Sequence, residues 1–172
     1  MIPITAGDMG KRTVYLDRDN TIIEDCPYCS SREQVRLMKG AGEAISRLNR
    51  SGVTVIVLTN QSGIGRGYFN VTQMAEVNDE MKRQLAEHDA HVDGIYYCPH
   101  KPDDGCDCRK PLNGLIAQAR KDHGSSDEYV IGDRDDIDGE MARRAGLKYA
   151  IVGKQGILQA VDDYLRSAPR SA

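Results

Sequence analysis

The chain has 172 residues, 40% hydrophobic and 28% charged, with a formal net charge of −3; this fits one globular domain over residues 1–172 and excludes the composition of disorder. A pI of about 5.8 offers no basic field for a nucleic-acid backbone, no apolar run approaches the roughly 20 residues that cross a bilayer, and residues 1–10 lack the segments of a leader. The expected partner is a small molecule, not nucleic acid or membrane, and the expected location is cytoplasmic.

Along the chain, β-branched and aliphatic runs alternate with stretches of helical period, which predicts βα units in a Rossmann-like three-layer sandwich around a five-stranded parallel sheet. The first strand is expected at residues 13–17. It runs into Leu16-Asp17-Arg18-Asp19-Asn20-Thr21, where two carboxylates follow an apolar run. A turn beginning at Arg18 lets both face a ligand, so that one attacks and the other moves protons. Taken alone, a D-x-D is more often a solvated turn. A long connection, residues 18–39, leads to a helix with Ala41, Ala44, Ile45 and Leu48 on one face.

The second strand, residues 53–59, opens into Thr59-Asn60-Gln61-Ser62-Gly63-Ile64-Gly65-Arg66-Gly67. Hydroxyl and amide side chains followed by three glycines suit an oxyanion such as phosphate, although the G-K-[ST] ending of a Walker A loop is missing. The next helix carries Met74, Val77, Met81 and Leu85, with Asn70 as its cap.

After a third strand at residues 94–98 comes Cys98-Pro-His100-Lys-Pro-Asp-Asp-Gly-Cys106-Asp-Cys108. Three thiols and an imidazole in a loop broken by Pro and Gly match a closed tetrahedral Cys3His zinc site, whose role is structural because no position stays open. Cys26 and Cys29 share CxxC spacing but have no second pair and no strand-to-helix context, so they read first as a loop feature and second as a redox or metal site. Arg109-Lys110-Pro111 adds two cations ahead of a helix marked by Leu112, Leu115, Ile116 and Ala119; a lysine there can neutralise both a phosphoryl group and nearby carboxylates.

The fourth strand, residues 128–132, ends in Gly132-Asp133-Arg134-Asp135-Asp136-Ile137-Asp138. Such a carboxylate cluster beside Asp17 and Asp19 is held most favourably by a hard divalent cation, which points to Mg2+ with Asp133 as its strongest ligand candidate. Some of these aspartates also suit a helix start. A short helix (Met141, Ala142, Ala145), a fifth strand at residues 147–152 and a last helix (Ile157, Leu158, Val161, Leu165) follow, and residues 167–172 have the composition of a frayed end. The loops after the first three strands converge at the carboxyl edge of the sheet, where ligands bind in open α/β folds.

The set Asp17-x-Asp19-x-Thr21, Thr59-Asn60, Lys110 and Gly132-Asp133 with a later aspartate resembles the haloacid dehalogenase superfamily over nearly the whole chain. More narrowly, residues 60–67, 96–100 and 106–111 are similar to the heptose 1,7-bisphosphate 7-phosphatases, small enzymes that use Mg2+ and zinc. The resemblance implies that Asp17 is the nucleophile that becomes an aspartyl-phosphate and Asp19 the general acid that then activates water. It further implies that Mg2+ is held by Asp17, the Asp19 carbonyl and Asp133, and that Thr59 and Lys110 bind the phosphoryl oxygens. Asn60, Gln61, Ser62, Arg109, Arg134 and the loop from Asp25 to Tyr28 are implied to meet the substrate, and Arg66 is added from its place in the glycine-rich loop. Asn20 departs from the glycine common at its position, a change that Asn tolerates at positive φ. Asp136 and Asp138 both fit the second aspartate of the last motif; the distance to Ala145-Gly146 favours Asp138.

The expected protein is a monomeric phosphomonoesterase without a cap domain, acting on a phosphorylated sugar. The spacing between motifs is consumed by the predicted elements, which leaves the site open. Histidinol-phosphate phosphatases share the zinc loop and are the rival within the same chemistry. A non-catalytic zinc-stabilised binding module is the rival of another class.

Overall fold

The computed structural model describes residues 10–168. The leader expectation falls almost wholly on residues 1–9, outside the described residues, as do residues 169–172 of the tail. In chain order the elements are β1 (Arg12–Leu16), α1 (Ala41–Arg50), β2 (Thr54–Asn60), α2 (Ser62–Gly65), α3 (Val71–Ala86), β3 (Gly94–Cys98), α4 (Gly114–His123), β4 (Asp127–Gly132), α5 (Glu140–Ala145), β5 (Lys148–Ile151) and α6 (Gly156–Ser167). All strand pairs are parallel, in the order β3-β2-β1-β4-β5. The five expected strands lie within a residue or so of their predicted ends.

Side-chain alternation along the strands explains the three layers. On β1, Val14 and Leu16 point to one face and join Val55, Val57 and Ile131 under α1, α3 and α6. Tyr15 points to the other face and joins Ile56, Leu58 and Val130 under α4 and α5. Both faces are therefore covered, as the continuous apolar strand sequences require. Ile45 and Leu48 of α1 are fully buried, and each such burial contributes about 1.5–3 kcal/mol. Asn70 caps α3 as expected, and the structure adds the other half of a capping box: Asn70 accepts from the Gln73 N–H at 2.9 Å while Gln73 accepts from the Asn70 N–H at 2.9 Å.

Some expectations are corrected. Leu112 precedes α4 and is exposed rather than part of its apolar stripe, because residues 109–113 form the turn that ends the cysteine loop. Ala145, Leu158 and Leu165 are only partly buried. Residues 62–65, read as loop, form the short helix α2. Before α5 the chain makes a π-helical turn, Asp135–Gly139. No helix among the described residues is long and apolar enough to cross a membrane.

Strand order reverses at β1: the chain moves from β1 to β2 and β3, then crosses to β4 on the other side. At such a switch point the loops after two adjacent strands separate and leave a crevice. Asp17 and Asp133 stand on its two sides, with the Asp17 N–H donating to Ile131 at 3.1 Å.

Candidate active site

The Asp17–Asp19 turn has a backbone cause. The carbonyl of Arg18 accepts from the N–H groups of Thr21, Ile22 and Ile23, and Asn20 sits at φ 61°, a conformation that costs Asn less than most residues. The chain thus curls directly after β1. Asp17, Asp19, Thr59, Asn60, Arg109, Asp133, Arg134 and Asp138 line one cavity of about 210 Å3. A neighbouring cavity of about 180 Å3 is lined by Arg18, Asp19, Asn60, Gln61 and Ser62 with the stretch from Asp25 to Cys29. Asp19 borders both.

Lys110 lies beneath the first cavity and is 3% exposed. Its ammonium donates to Asp17 and to Asp138, each at 2.7 Å. Burial opposes its charge, but the two carboxylates outweigh burial and hold the ammonium above its ordinary range. Burial likewise pushes the Asp17 carboxyl up to about 8 against the pull of Lys110, with Asp138 and Asp19 adding to the rise. Asp133 is also raised, chiefly by burial. Oxygens of Asp17, Asp133 and Asp138 lie within 4.8 Å of one another. Three carboxylates around one ammonium leave the cluster short of positive charge, and an all-oxygen set of this kind fits a hard divalent cation.

Asp138, not Asp136, is the inward aspartate. Asp138 is buried against Lys110 and accepts from the Arg134 N–H at 3.3 Å, whereas Asp136 is exposed and pairs with Arg134 at 2.6 Å. The π-turn rotates Asp138 under Gly132, where a Cβ would come within 2.3 Å of its carboxylate. Glycine at the end of β4 is therefore required.

On the opposite wall, Gln61 donates to Asp19 at 3.1 Å and to the Thr59 hydroxyl at 2.8 Å, and Thr59 donates to Asp19 at 3.4 Å. Arg18, 1% exposed, bonds Asp19 at 3.1 Å and Asn78 of α3 at 3.0 Å. Sequence reasoning assigned neither Arg18 nor Asn78 a role, although Asn78 is a polar residue beside the apolar stripe of its helix. The Asn60 amide is engaged with the main chain of Lys110. Arg66 lines neither cavity: its side chain is exposed and reaches Ser62 at 3.5 Å.

Cys98, His100, Cys106 and Cys108 converge. The Cys98 and Cys106 sulfurs are 3.6 Å apart, and His100 Nδ1 lies 3.5 Å from Cys98 and 3.3 Å from Cys108. Ligands of a tetrahedral zinc with Zn–S near 2.3 Å stand about 3.5–3.8 Å apart, so the four groups have the spacing such an ion needs. The loop also braces the site, because Gln61 N–H donates to the Cys98 carbonyl at 2.7 Å and Arg109 donates to the His100 carbonyl at 3.4 Å. Cys26 and Cys29 close a turn, with the Cys29 N–H donating to Cys26 at 3.0 Å, and both line the second cavity.

Comparison with known proteins adds an independent line. The HAD-hydrolase-like family profile matches residues 107–169. A protein of Thermoplasma volcanium named "Probable D-glycero-D-manno-heptose-1,7-bisphosphate 7-phosphatase" is 43% identical over 143 residues, covering 82% of this chain and 98% of its own. The D-glycero-beta-D-manno-heptose-1,7-bisphosphate 7-phosphatase of Escherichia coli is 36% identical over 150 residues, covering 80% and 78%. Among solved structures, a D,D-heptose bisphosphate phosphatase from B. bronchiseptica complexed with magnesium and phosphate superposes with a TM-score of 0.84 at 30% identity, over 91% of this chain and 99% of that one.

Proposed function

The chain belongs to the HAD-like D-glycero-D-manno-heptose-1,7-bisphosphate 7-phosphatases, and we propose on that premise that it removes the C7 phosphate of the heptose bisphosphate through an aspartyl-phosphate on Asp17. The observation that carries the reading is the Lys110 ammonium shared at 2.7 Å by Asp17 and Asp138, with Asp133 in the same carboxylate cluster. A binding module has no use for a buried nucleophile beside a second carboxylate placed for proton transfer.

In this reading an Asp17 oxygen attacks phosphorus in line with the C7 ester oxygen. As the P–O bond breaks, Asp19 delivers a proton to the leaving alkoxide. Ionised Asp19 then takes a proton from the water that attacks the aspartyl-phosphate, releasing phosphate and restoring both carboxyl groups. Thr59 and Lys110 bind the phosphoryl oxygens, and positioning with charge stabilisation supplies most of the rate. Gln61 and Arg18 aim Asp19 from its two sides. Mg2+ held by Asp17, Asp133 and the Asp19 carbonyl would offset repulsion between nucleophile and phosphate. Arg109 and Arg134 line the cavity and suit the second phosphate of the substrate. Zinc on Cys98, His100, Cys106 and Cys108 would fix the loop that presents Arg109 and Lys110. The working unit in this reading is a monomer. The loops at the carboxyl edge, rather than a cap, would confer selectivity.

The test is phosphate release from heptose 1,7-bisphosphate, in both anomers, compared with histidinol phosphate and fructose 1,6-bisphosphate. Mg2+-dependent turnover that prefers a heptose bisphosphate and vanishes in a folded Asp17→Asn variant is expected. A preference for histidinol phosphate overturns the substrate, and undiminished turnover in Asp17→Asn overturns the mechanism.

A further inference from the structure

The second cavity has two walls from separate parts of the chain. One is the stretch from Asp25 to Cys29, the other is Asn60 to Gly63 with Phe69, and Arg18 and Asp19 complete the lining. Arg18 is almost fully buried, yet its Nε has no hydrogen-bond partner among the described residues. A cavity that shares Asp19 with the catalytic cluster and contains polar groups is where the part of a substrate beyond its reacting phosphate would lie.

Two tyrosines join these walls. Tyr28 belongs to the first wall, and Tyr68 follows α2 on the other side. Their rings meet edge to face, with centroids 4.7 Å apart and planes at 81°, a favoured aromatic geometry. Neither ring is part of the core: Tyr28 is 49% exposed and Tyr68 59%. The backbones beneath them are nevertheless fixed. Tyr28 holds a left-handed φ of 52° after Pro27, a conformation maintained only where the surroundings impose it. The Tyr68 N–H donates to the Gly63 carbonyl at 2.9 Å. The neighbouring Phe69 ring lies so close to Gly63 that a Cβ there would meet it at 2.2 Å. Rigid backbone under exposed, mutually packed rings is costly for a surface with no ligand, and it sets the separation of the two walls.

We propose that Tyr68 is a specificity-determining positioning residue: by clasping Tyr28 across the cavity it fixes the width of the pocket that accepts the polyol portion of a sugar phosphate. This rests on the phosphatase reading above. Tyr68 does not line the cavity and acts through Tyr28, so its effect belongs to binding of the extended substrate and not to the chemical step. A small phosphate ester that occupies only the catalytic cluster should not register it.

The test compares Tyr68→Ala, Tyr68→Phe and Tyr28→Ala, and the double alanine variant, on heptose 1,7-bisphosphate and on 4-nitrophenyl phosphate. Expected for Tyr68→Ala is a KM for the sugar raised about three- to tenfold with kcat nearly unchanged. Activity on the aryl ester should be retained, and Tyr68→Phe should behave like the parent. The double variant should be no worse than Tyr28→Ala alone, because both remove one contact. An unchanged sugar KM in Tyr68→Ala, equal losses on both substrates, or additive losses in the double variant overturns the clasp. A parent protein that releases no phosphate from either compound sinks the phosphatase reading instead, so the two failures are distinct.

Discussion

Asn60 grips the main chain of Lys110 at both polar groups: its amide oxygen accepts from the Lys110 N–H at 2.9 Å and its amide nitrogen donates to the Lys110 carbonyl at 3.1 Å. The two residues are 50 positions apart, and the contact ties the end of β2 to the residue whose ammonium pairs with Asp17 and Asp138. An amide that recognises backbone in this way is a bracket for Lys110.

Asn60→Ala should therefore lower kcat by about 10- to 100-fold through misplacement of Lys110, with a smaller change in KM. Asn60→Asp keeps the acceptor but loses the donor and should fall in between. Steady-state kinetics on folded variants checks this; an unaffected kcat in Asn60→Ala would mean that the cysteine loop alone positions the lysine.

Asp138→Asn and Asp136→Asn should behave oppositely despite lying two residues apart. Asp138 shares a buried ion pair with Lys110, and removing its charge should cost about 3 kcal/mol of stability and at least tenfold in kcat. Asp136 pairs with Arg134 in solvent, and its loss should leave the unfolding midpoint at that of the parent. Urea unfolding of both variants beside the parent provides the measurement.

Cys106→Ser should remove zinc, which elemental analysis would find at about one equivalent per parent chain. Since Arg109 hangs from the His100 carbonyl and Gln61 from that of Cys98, loss of the metal should raise KM or lower kcat as well as Tm. Unaltered kinetics in protein demonstrably free of zinc would refute a bracing role for the loop.

Glu128 gives a pH dependence away from the site. Burial works against its charge, but hydrogen bonds from Arg120 at 2.6 Å and Tyr15 at 2.5 Å overcome it and hold the carboxyl below its usual 4.5. A carboxyl lowered in the folded state stabilises above its unfolded pKa, and that contribution is lost as pH falls through the folded value. Glu128→Gln should thus cost about 1 kcal/mol at neutral pH, modest because Arg120 is 44% exposed. Its Tm deficit should shrink as pH drops below 4.5, and a deficit independent of pH counts against the ion pair.

What could be read from sequence was whatever local order encodes. Strands showed as apolar runs, helices as stripes such as Met74, Val77, Met81 and Leu85, and the cysteine loop as crowded soft ligands, because each signal lies within a dozen residues. Roles that depend on distant partners were hidden. The resemblance implies that Asn60 meets the substrate, and it lines both cavities; nothing local reveals that its amide also holds the backbone of residue 110. The choice between Asp136 and Asp138 hung on a π-turn, which shifts helical phase with no compositional mark. Arg18 draws no role from the sequence, because its partner Asn78 lies 60 positions away on α3. Arg66 was drawn into the site by its glycine-rich setting, but α2 leaves it on the outside.

The sheet divides labour between its two ends. The groups gathered at the candidate site lie at or beyond the carboxyl ends of strands, while the return connections at the other end, residues 51–53, 87–93, 124–126 and 146–147, supply none of them. The exposed positions of those returns, such as Gly52 and Asp89, are consequently the natural graft points of the molecule: a reporter domain, a surface tether or a new pair of termini placed there should leave turnover intact, whereas the same insertion into residues 17–40 or 99–113 should abolish it.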